Sequence, residues 1–285
     1  MSRLRIAAAI LFASIIPLAA QTHFEISAGL GFLWPSWDGT YLHAYEPGFL
    51  YGMTGTGSGR QTLTFAAQPS SGAVFGAAFF ITSRFALQVL FDDFSSDVTG
   101  TTTTHDTTVT YTSRQPPDDT PRTYTASSSD NPAVTGGQLT DRIISLNGLV
   151  RIPLGAGFSL DLSAGGSWFH AGGNLGYPEY TEFWLGGNSV LFSQTYSLQM
   201  IFDPLDRIGW NAGAAFSWAF GRNAGLWAEA RYFGCAKTTP QVTFRDTGAI
   251  PPMRAFDPAS DVIPVGDLAL DPSGFRIGAG FKFIF

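Results

Sequence analysis

Apolar residues alternate with small or polar residues along several segments of this chain. The longest run extends from Ile208 to Phe220, where every second residue is apolar and Gly, Asn, Ala or Ser stands between. Successive side chains of a β-strand point to opposite faces, so this period of two predicts strands with one apolar face. The pattern recurs at residues 24–32, 84–92, 158–165 and 275–285, with weaker runs near 72–82, 142–153 and 226–234. The sequence therefore predicts an all-β protein of eight strands.

The connections between these strands are of two kinds. Three are tight, around Ser83, at Gly155 to Gly157 and at Gly221 to Gly225, and four are long, at residues 34–71, 95–141, 170–206 and 235–273. Short and long connections alternate strictly, so all four long loops emerge on one side. Prolines fit this map, because they avoid strand interiors and almost all lie in the long loops. A ten-strand alternative takes Ser189 to Phe202 and the segment around "QVTFRD" as two further strands.

Two folds can present such strands. A soluble sandwich explains the alternation but not the one-sided long loops. Aromatic residues make up 14% of the chain and charged residues only 13%, below the roughly 25% of soluble proteins. A closed transmembrane barrel, with its apolar face toward lipid, accounts for both features, because closure pairs every backbone group. Aromatic girdles are expected at its two rims: Phe24, Phe85, Phe158, Phe220 and Phe285 at the short turns, and Trp34, Phe91, Trp168, Trp210 and Tyr232 at the loops.

The amino-terminal segment has the layout of a secretory signal peptide. Arg3 and Arg5 precede an apolar run from Ile6 to Leu18, and small residues follow. We expect residues 1–20 to be the signal peptide and residues 21–285 to form the barrel domain. The formal charge of −6 argues against a nucleic-acid partner, and the single Cys235 excludes an intramolecular disulfide.

With these features the chain resembles the small outer-membrane barrels of the OmpA, OmpX and OmpW type. The resemblance covers essentially the whole mature chain and rests on architecture, not on a diagnostic motif. It implies a bacterial outer-membrane protein with short periplasmic turns, long extracellular loops and a monomeric state. It also implies that the last strand, with Phe281, Phe283 and Phe285 on one face, is the signal read by the barrel-assembly machinery. Outer-membrane lipid and lipopolysaccharide are the other partners it implies.

The residues that carry charge on the strands define the main candidate site. An eight-stranded barrel has an interior that side chains can just fill. Strand parity turns eight charged residues inward: Glu25, Arg84, Arg151, Asp161, Glu229, Arg231, Arg276 and Lys282. Because buried charges are costly unless paired, we expect a salt-bridge network that plugs the lumen, including contacts of Glu25 with Lys282 and of Arg151 with Asp161. A gated path for protons or small ions through the same residues is the alternative.

The long loops are the second candidate region. The third loop carries an aromatic patch, Tyr177, Tyr180, Phe183 and Trp184, which either packs on the rim or binds an apolar or sugar ligand. The Thr-rich segment 101–127 is either a disordered loop or a hairpin that prolongs the strands.

Few residues suggest chemistry. His170 stands at the height of the catalytic His in outer-membrane lipid A deacylases, but "FHAGGN" lacks their His-x-Ser arrangement. We expect no enzymatic activity, no cofactor and no metal site. The expected function is surface binding, adhesion or membrane integrity through the loops, with an alternative as a narrow channel or lateral-opening transporter for small or apolar solutes.

Overall fold

The computed structural model describes residues 22–45, 48–49, 54–114, 121–130, 136–184, 190–240, 242–246 and 270–285. Thirteen strands lie in these ranges: β1 (His23–Pro35), β2 (Asp38–Tyr45), β3 (Gly48–Phe49), β4 (Thr54–Ala67), β5 (Ser70–Phe80), β6 (Phe85–Arg114), β7 (Pro121–Asp130), β8 (Gly136–Gly155), β9 (Phe158–Trp184), β10 (Val190–Ala219), β11 (Ala224–Gly234), β12 (Val242–Asp246) and β13 (Gly274–Ile284). The described ranges contain no helix long and apolar enough to cross a membrane. The predicted signal peptide lies outside them.

Eight of the strands close into a ring. Its order is β1, β5, β6, β8, β9, β10, β11 and β13, and β13 pairs with β1 to close it, every pair being antiparallel. The predicted eight-stranded antiparallel barrel is therefore confirmed. The ten-strand alternative does not hold, because Val190 to Phe202 continues into the same ring strand and β12 pairs only with the outer part of β10.

Three short connections lie at one end of the ring, which we call the turn end; the opposite end is the loop end. Ile81 to Arg84 joins β5 to β6, and residues 220–223 join β10 to β11. The third connection has only two residues, Ala156 (φ 51°) and Gly157 (φ 82°). Two positive φ angles in a two-residue loop match the twist of a hairpin, which explains the "GAG" sequence here.

The segments predicted as long loops are largely strand. β6, β9 and β10 extend to 30, 27 and 30 residues, whereas about 9–11 residues cross a membrane. β2 and β4 pair with each other and β4 pairs with β6, and β7 pairs with the far part of β6. In the described part of the Thr-rich segment, β6 and β7 pair as a hairpin, which agrees with the second of the two interpretations given for it, a hairpin and not a disordered loop. Pro178 and Pro204 lie within β9 and β10, so proline did not mark the ends of these strands.

The outer face of the ring is apolar between two rows of aromatics. At the turn end, Phe158 stacks on Trp218 with ring centroids 5.7 Å apart, and Trp218 contacts Phe220. Toward the loop end, Trp210 lies 5.5 Å from Tyr232. The band between them exposes large apolar side chains on every ring strand, among them Leu30, Phe75, Leu87, Leu146, Leu162, Phe216, Leu226 and Ile277. Exposed apolar surface of this extent on a closed barrel is the surface of a membrane-spanning protein.

Candidate functional site

The interior of the barrel holds two groups of buried charges. The group nearer the turn end is centred on Arg151 of β8. Its guanidinium donates to Glu25 through Nη1 (2.6 Å) and Nη2 (2.9 Å), and to Asp161 through Nε (2.7 Å) and Nη2 (2.8 Å). Lys282 Nζ lies 3.5 Å from Glu25 Oε2. Arg151 therefore bridges two carboxylates in a fork geometry, the arrangement that best compensates the desolvation of all three groups.

Aromatic side chains close this group toward the turn end. The Arg151 guanidinium lies 4.2 Å from the centroid of the Phe80 ring, and His23 stacks on the same ring at 4.3 Å. Phe80 is fully buried and packs with Ala78, Ala86 and Leu149. The barrel mouth at the turn end is thus filled by the phenyl ring of Phe80, an imidazole and a guanidinium packed on each other.

The second group lies deeper and is built on two arginines without solvent exposure. Arg276 of β13 donates to Asp92 and to Glu229, and Arg231 of β11 donates to Glu229 and to Asn211. Arg231 Nη2 also reaches Ser163 Oγ at 2.6 Å. Two guanidinium groups thus face two carboxylates, and the formal charges of this group cancel.

Neutral polar side chains continue the network toward β8 and β9. Asn211 Nδ2 donates to Asn147 Oδ1 and to Ser167 Oγ, each at 2.8 Å, and the Ser145 and Ser167 hydroxyls lie 2.8 Å apart. All of these side chains are buried. Amides and hydroxyls that satisfy one another in this way remove the cost of burying each polar atom.

Seven of the eight charged residues predicted to face inward are in these two groups: Glu25, Arg151, Asp161 and Lys282 in the first, and Glu229, Arg231 and Arg276 in the second. Arg84 is the exception and that prediction is wrong. It lies in the turn before β6 and is exposed, because the strand begins at Phe85 and parity does not extend into a turn.

The predicted set of inward-facing residues omitted three important members of the network. Asp92 lies on the inward face of β6 and pairs with Arg276, and Asn147 and Asn211 face inward from β8 and β10. Asp92 lies on the polar face of a predicted strand, so the parity rule used for the other charged residues places it in the lumen as well.

A small cavity lies between the two charged groups. It has a volume of about 50 Å³, and its lining includes Glu25, Asp161, Lys282, Glu229 and Trp227. A cavity of this size, lined by charged groups, is large enough to hold water. Glycines on β13 and β1 leave room for the indole of Trp227: a Cβ built on Gly278 would lie 3.3 Å from its Cζ3 atom, and one built on Gly29 would lie 2.8 Å from its Cζ2 atom.

Apolar side chains lie beside the deeper charged group and fill the interior from there to the loop end. A first cluster contains Leu33, Val74, Phe94, Ile143, Phe169, Trp227 and Phe233, and a second, further out, contains Trp37, Leu63, Phe65, Val98, Leu139, Ala171, Leu175, Met200, Phe202, Leu205 and Leu270. We call them the inner and the outer apolar cluster. Within the described residues, the lumen thus passes from charges to hydrocarbon along its axis.

Asp141 interrupts this apolar region. On the inward face of β8 it stands between Leu139 of the outer cluster and Ile143 of the inner one, and only 4% of it is exposed. Its Oδ1 atom has no hydrogen-bond partner among the described residues. Asp141 is three residues beyond Ile144, which pairs with Trp168 of the aromatic row, so it lies outside the membrane-spanning part of β8. Burial raises the pKa of Asp141 to about 7.

The remaining predicted residues have separate positions. Phe281, Phe283 and Phe285 are exposed on the outer face, and their role in assembly stays a prediction. Tyr177, Tyr180, Phe183 and Trp184 belong to the outer part of β9, and their side chains lie outside the described part of the chain. His170 Nδ1 contacts Asp206 Oδ1 at 2.9 Å. No cluster of three or more metal-ligating side chains occurs among the described residues.

The hydrogen-bond geometry predicts which charge pair near the turn end contributes most to the stability of the folded barrel. A double-mutant cycle with Glu25→Gln and Arg151→Met should give a coupling energy of about 2 kcal/mol, because the pair shares two short hydrogen bonds. The same cycle with Glu25→Gln and Lys282→Met should give less than about 1 kcal/mol, because one 3.5 Å contact joins that pair. Urea unfolding of the folded barrel in lipid vesicles measures both. Equal coupling in the two cycles would contradict the central position of Arg151.

Comparison with known proteins finds distant likenesses in structure. No model of a known protein family and no curated protein matches the sequence. The outer membrane protein OprG from Pseudomonas aeruginosa aligns with a TM-score of 0.46 and 11% identity, over 93% of this chain and 96% of its own. Neisserial surface protein A (NspA) aligns with 0.37 and 11%, over 94% and 99%. The outer membrane protease OmpT from Escherichia coli aligns with 0.38 and 10%, over 95% and 99%. None of these likenesses assigns an activity to this chain.

Proposed function

We propose that this chain is a monomeric barrel of the bacterial outer membrane with a lumen plugged by side chains, and that it binds targets at the cell surface through its loop end. The observation that carries the proposal is the fully buried pair Arg231 and Arg276, held by carboxylates and covered by apolar clusters. A lumen filled in this way leaves no wide pore for solutes. The surface that can act is therefore outside the membrane, and in this proposal it acts without catalysis.

The length of the strands supports a binding role. More than half of β6, β9 and β10 exceeds what a membrane crossing needs. These parts form an extended sheet beyond the aromatic row, joined by β4 and by the hairpin of β6 and β7. An extended sheet beyond the membrane offers a surface and strand edges that are suited to contact a protein or glycan. The barrel-assembly machinery and lipopolysaccharide remain the further partners that we propose.

Removing the hairpin tests this proposal. Residues 106–129 can be replaced by Asn-Gly, which rejoins β6 and β7 at the His105 and Asp130 pair. We expect the trimmed barrel to fold, as shown by heat-modifiable migration on a gel. Binding of cells that display it to arrays of host glycans and matrix proteins should fall to the level of cells without the protein. Arg222→Gln in a turn at the other end is the control. Equal binding by intact and trimmed protein, or no binding by either, would contradict the proposal.

The outer apolar cluster favours a second candidate function, the passage of a small apolar solute. Its side chains line the interior next to a break in the β9 and β10 pairing between Phe202 and Leu205. A fluorescent apolar probe should then enter vesicles with a lipopolysaccharide outer leaflet faster when the barrel is present. An unchanged rate would exclude this function.

A further inference from the structure

Two rows of residues run across four neighbouring ring strands on the outer face of the barrel. The first is apolar, and each of its members is the cross-strand partner of the next: Phe91, Ile144, Trp168 and Ile208. The second lies two residues further toward the loop end on each strand, in the same register, and is charged or titratable: Asp93, Arg142, His170 and Asp206. The rows are about 7 Å apart.

The change from an apolar row to a charged row marks the edge of the hydrocarbon layer. Side chains of the first row are exposed, and Ile208 is exposed to 83%. Charged groups on the lipid face are costly in the hydrocarbon and tolerated only near the interface. The charged row therefore stands at the height of the lipid headgroups, with acyl chains against the apolar row below it.

The charged row has the order acid, base, base, acid. Arg142 Nε contacts Asp93 Oδ1 at 3.4 Å, its only hydrogen bond to the described residues, and 54% of its side chain is exposed. His170 Nδ1 contacts Asp206 Oδ1 at 2.9 Å and stacks on Trp168 with ring centroids 5.6 Å apart. The two basic groups thus stand side by side, each flanked by one carboxylate, and the Nη groups of Arg142 donate to none of the described residues.

A groove opens directly beyond these basic groups. It has a volume of about 520 Å³ and is lined by Arg142, His170 and the polar side chains Thr140, Asn174 and Gln199. Gly172 on β9 and the irregular backbone at Pro204 of β10 form part of its wall, since the pairing of the two strands shifts between Phe202 and Leu205. The groove wall supplies donors, acceptors and the two basic groups, while the carboxylates of Asp93 and Asp206 stand beside it in the charged row. The groove also adjoins the apolar row.

We propose that this groove binds the headgroup of a membrane lipid that carries a phosphate beside a primary amine. The phosphate lies against Arg142 and His170, and the ammonium group lies against Asp206. The order of charges in the row matches such a zwitterion, whereas a purely anionic headgroup would meet the two flanking carboxylates. The acyl chains lie along Trp168 and Ile208. This site does not depend on whether the lumen conducts or the loop end binds a target.

Native mass spectrometry of the full-length folded barrel, released from detergent with added lipid, tests the proposal. Phosphatidylethanolamine should be retained about threefold to tenfold more than phosphatidylglycerol or phosphatidylcholine, since exposed charge pairs contribute modestly. Arg142→Gln and Asp206→Asn should each abolish this preference. Arg84→Gln, an exposed Arg in a turn at the other end, should leave it unchanged. Heat-modifiable migration verifies that each variant is folded.

Three results would overturn the proposal. Equal retention of phosphatidylglycerol would mean that the amine is not recognised, and an unchanged preference in Asp206→Asn would mean that this carboxylate does not bind it. Soluble phosphoethanolamine should not displace the lipid at equal concentration, because it lacks acyl chains to contact the apolar row. Full displacement would mean that the groove takes a free solute instead of a lipid.

Discussion

Arg276→Met should lower the free energy of unfolding by about 3–5 kcal/mol. The guanidinium of Arg276 is fully buried and donates to Asp92 and to Glu229, from two different strands. Without it, both carboxylates remain in the interior with one cation, Arg231, nearby. Urea unfolding in lipid vesicles measures the loss.

A matched control separates this effect from the general effect of losing an arginine. Arg84→Met removes an exposed guanidinium from a turn and should change the free energy of unfolding by no more than about 0.5 kcal/mol. Adding Asp92→Asn to Arg276→Met should recover part of the loss, because the charges again balance. A loss from Arg276→Met no larger than that from Arg84→Met would contradict the buried network.

The second large effect concerns pH and Asp141. Its pKa in the folded barrel is about 7, above the ordinary value of 3.8, so the folded state holds a proton that the unfolded chain has lost between these pH values. Stability from this group is therefore full below about pH 3.8 and falls as pH rises to about 7. The difference amounts to at most about 4 kcal/mol. Asp141→Asn cannot ionise and lacks this dependence.

The measurement is the difference in unfolding free energy between Asp141→Asn and the wild type across pH 4 to 8. We expect the variant to gain stability relative to the wild type as pH rises, by up to about 4 kcal/mol. Asp97→Asn, at an exposed position on β6, controls for the removal of one carboxylate. A difference for Asp141→Asn that stays constant over this pH range would mean that Asp141 is not buried as a neutral acid.

The ring of eight strands could be predicted from the sequence because its cause is local. A strand with one face toward lipid must alternate, and the run from Ile208 to Phe220 does so without interruption. The tight connections could also be predicted, because Gly157 and Gly221 supply the positive φ that hairpin turns need.

The outer parts of the strands were missed because they were taken as loops between the alternating segments, and their prolines fitted that interpretation. Pro204 lies inside β10 where its pairing with β9 is irregular, and Pro178 lies in the outer part of β9. Irregular pairing tolerates a residue without an N–H donor. The alternation from Ser189 to Phe202 did indicate a strand, but it was assigned to a ring of ten.

Contacts across the lumen could not be predicted from strand order. Glu25 and Lys282 lie on adjacent strands, as do Arg151 and Asp161, and both contacts were foreseen. The contact of Arg151 with Glu25 joins β8 to β1, which are not neighbours in the ring. Such contacts depend on the tilt and stagger of the strands, and these follow from closure of the whole barrel.

The central claim is that side chains fill the lumen, with buried charges at its centre and apolar clusters toward the loop end. Single-channel recording of folded monomer in a planar lipid bilayer tests it most directly. The account predicts a current no larger than that of the protein-free bilayer, because Arg231, Arg276 and their carboxylates neutralise one another and Phe94, Phe169 and Phe233 close the path beyond them. Large and stable single-channel openings from folded monomer would contradict it.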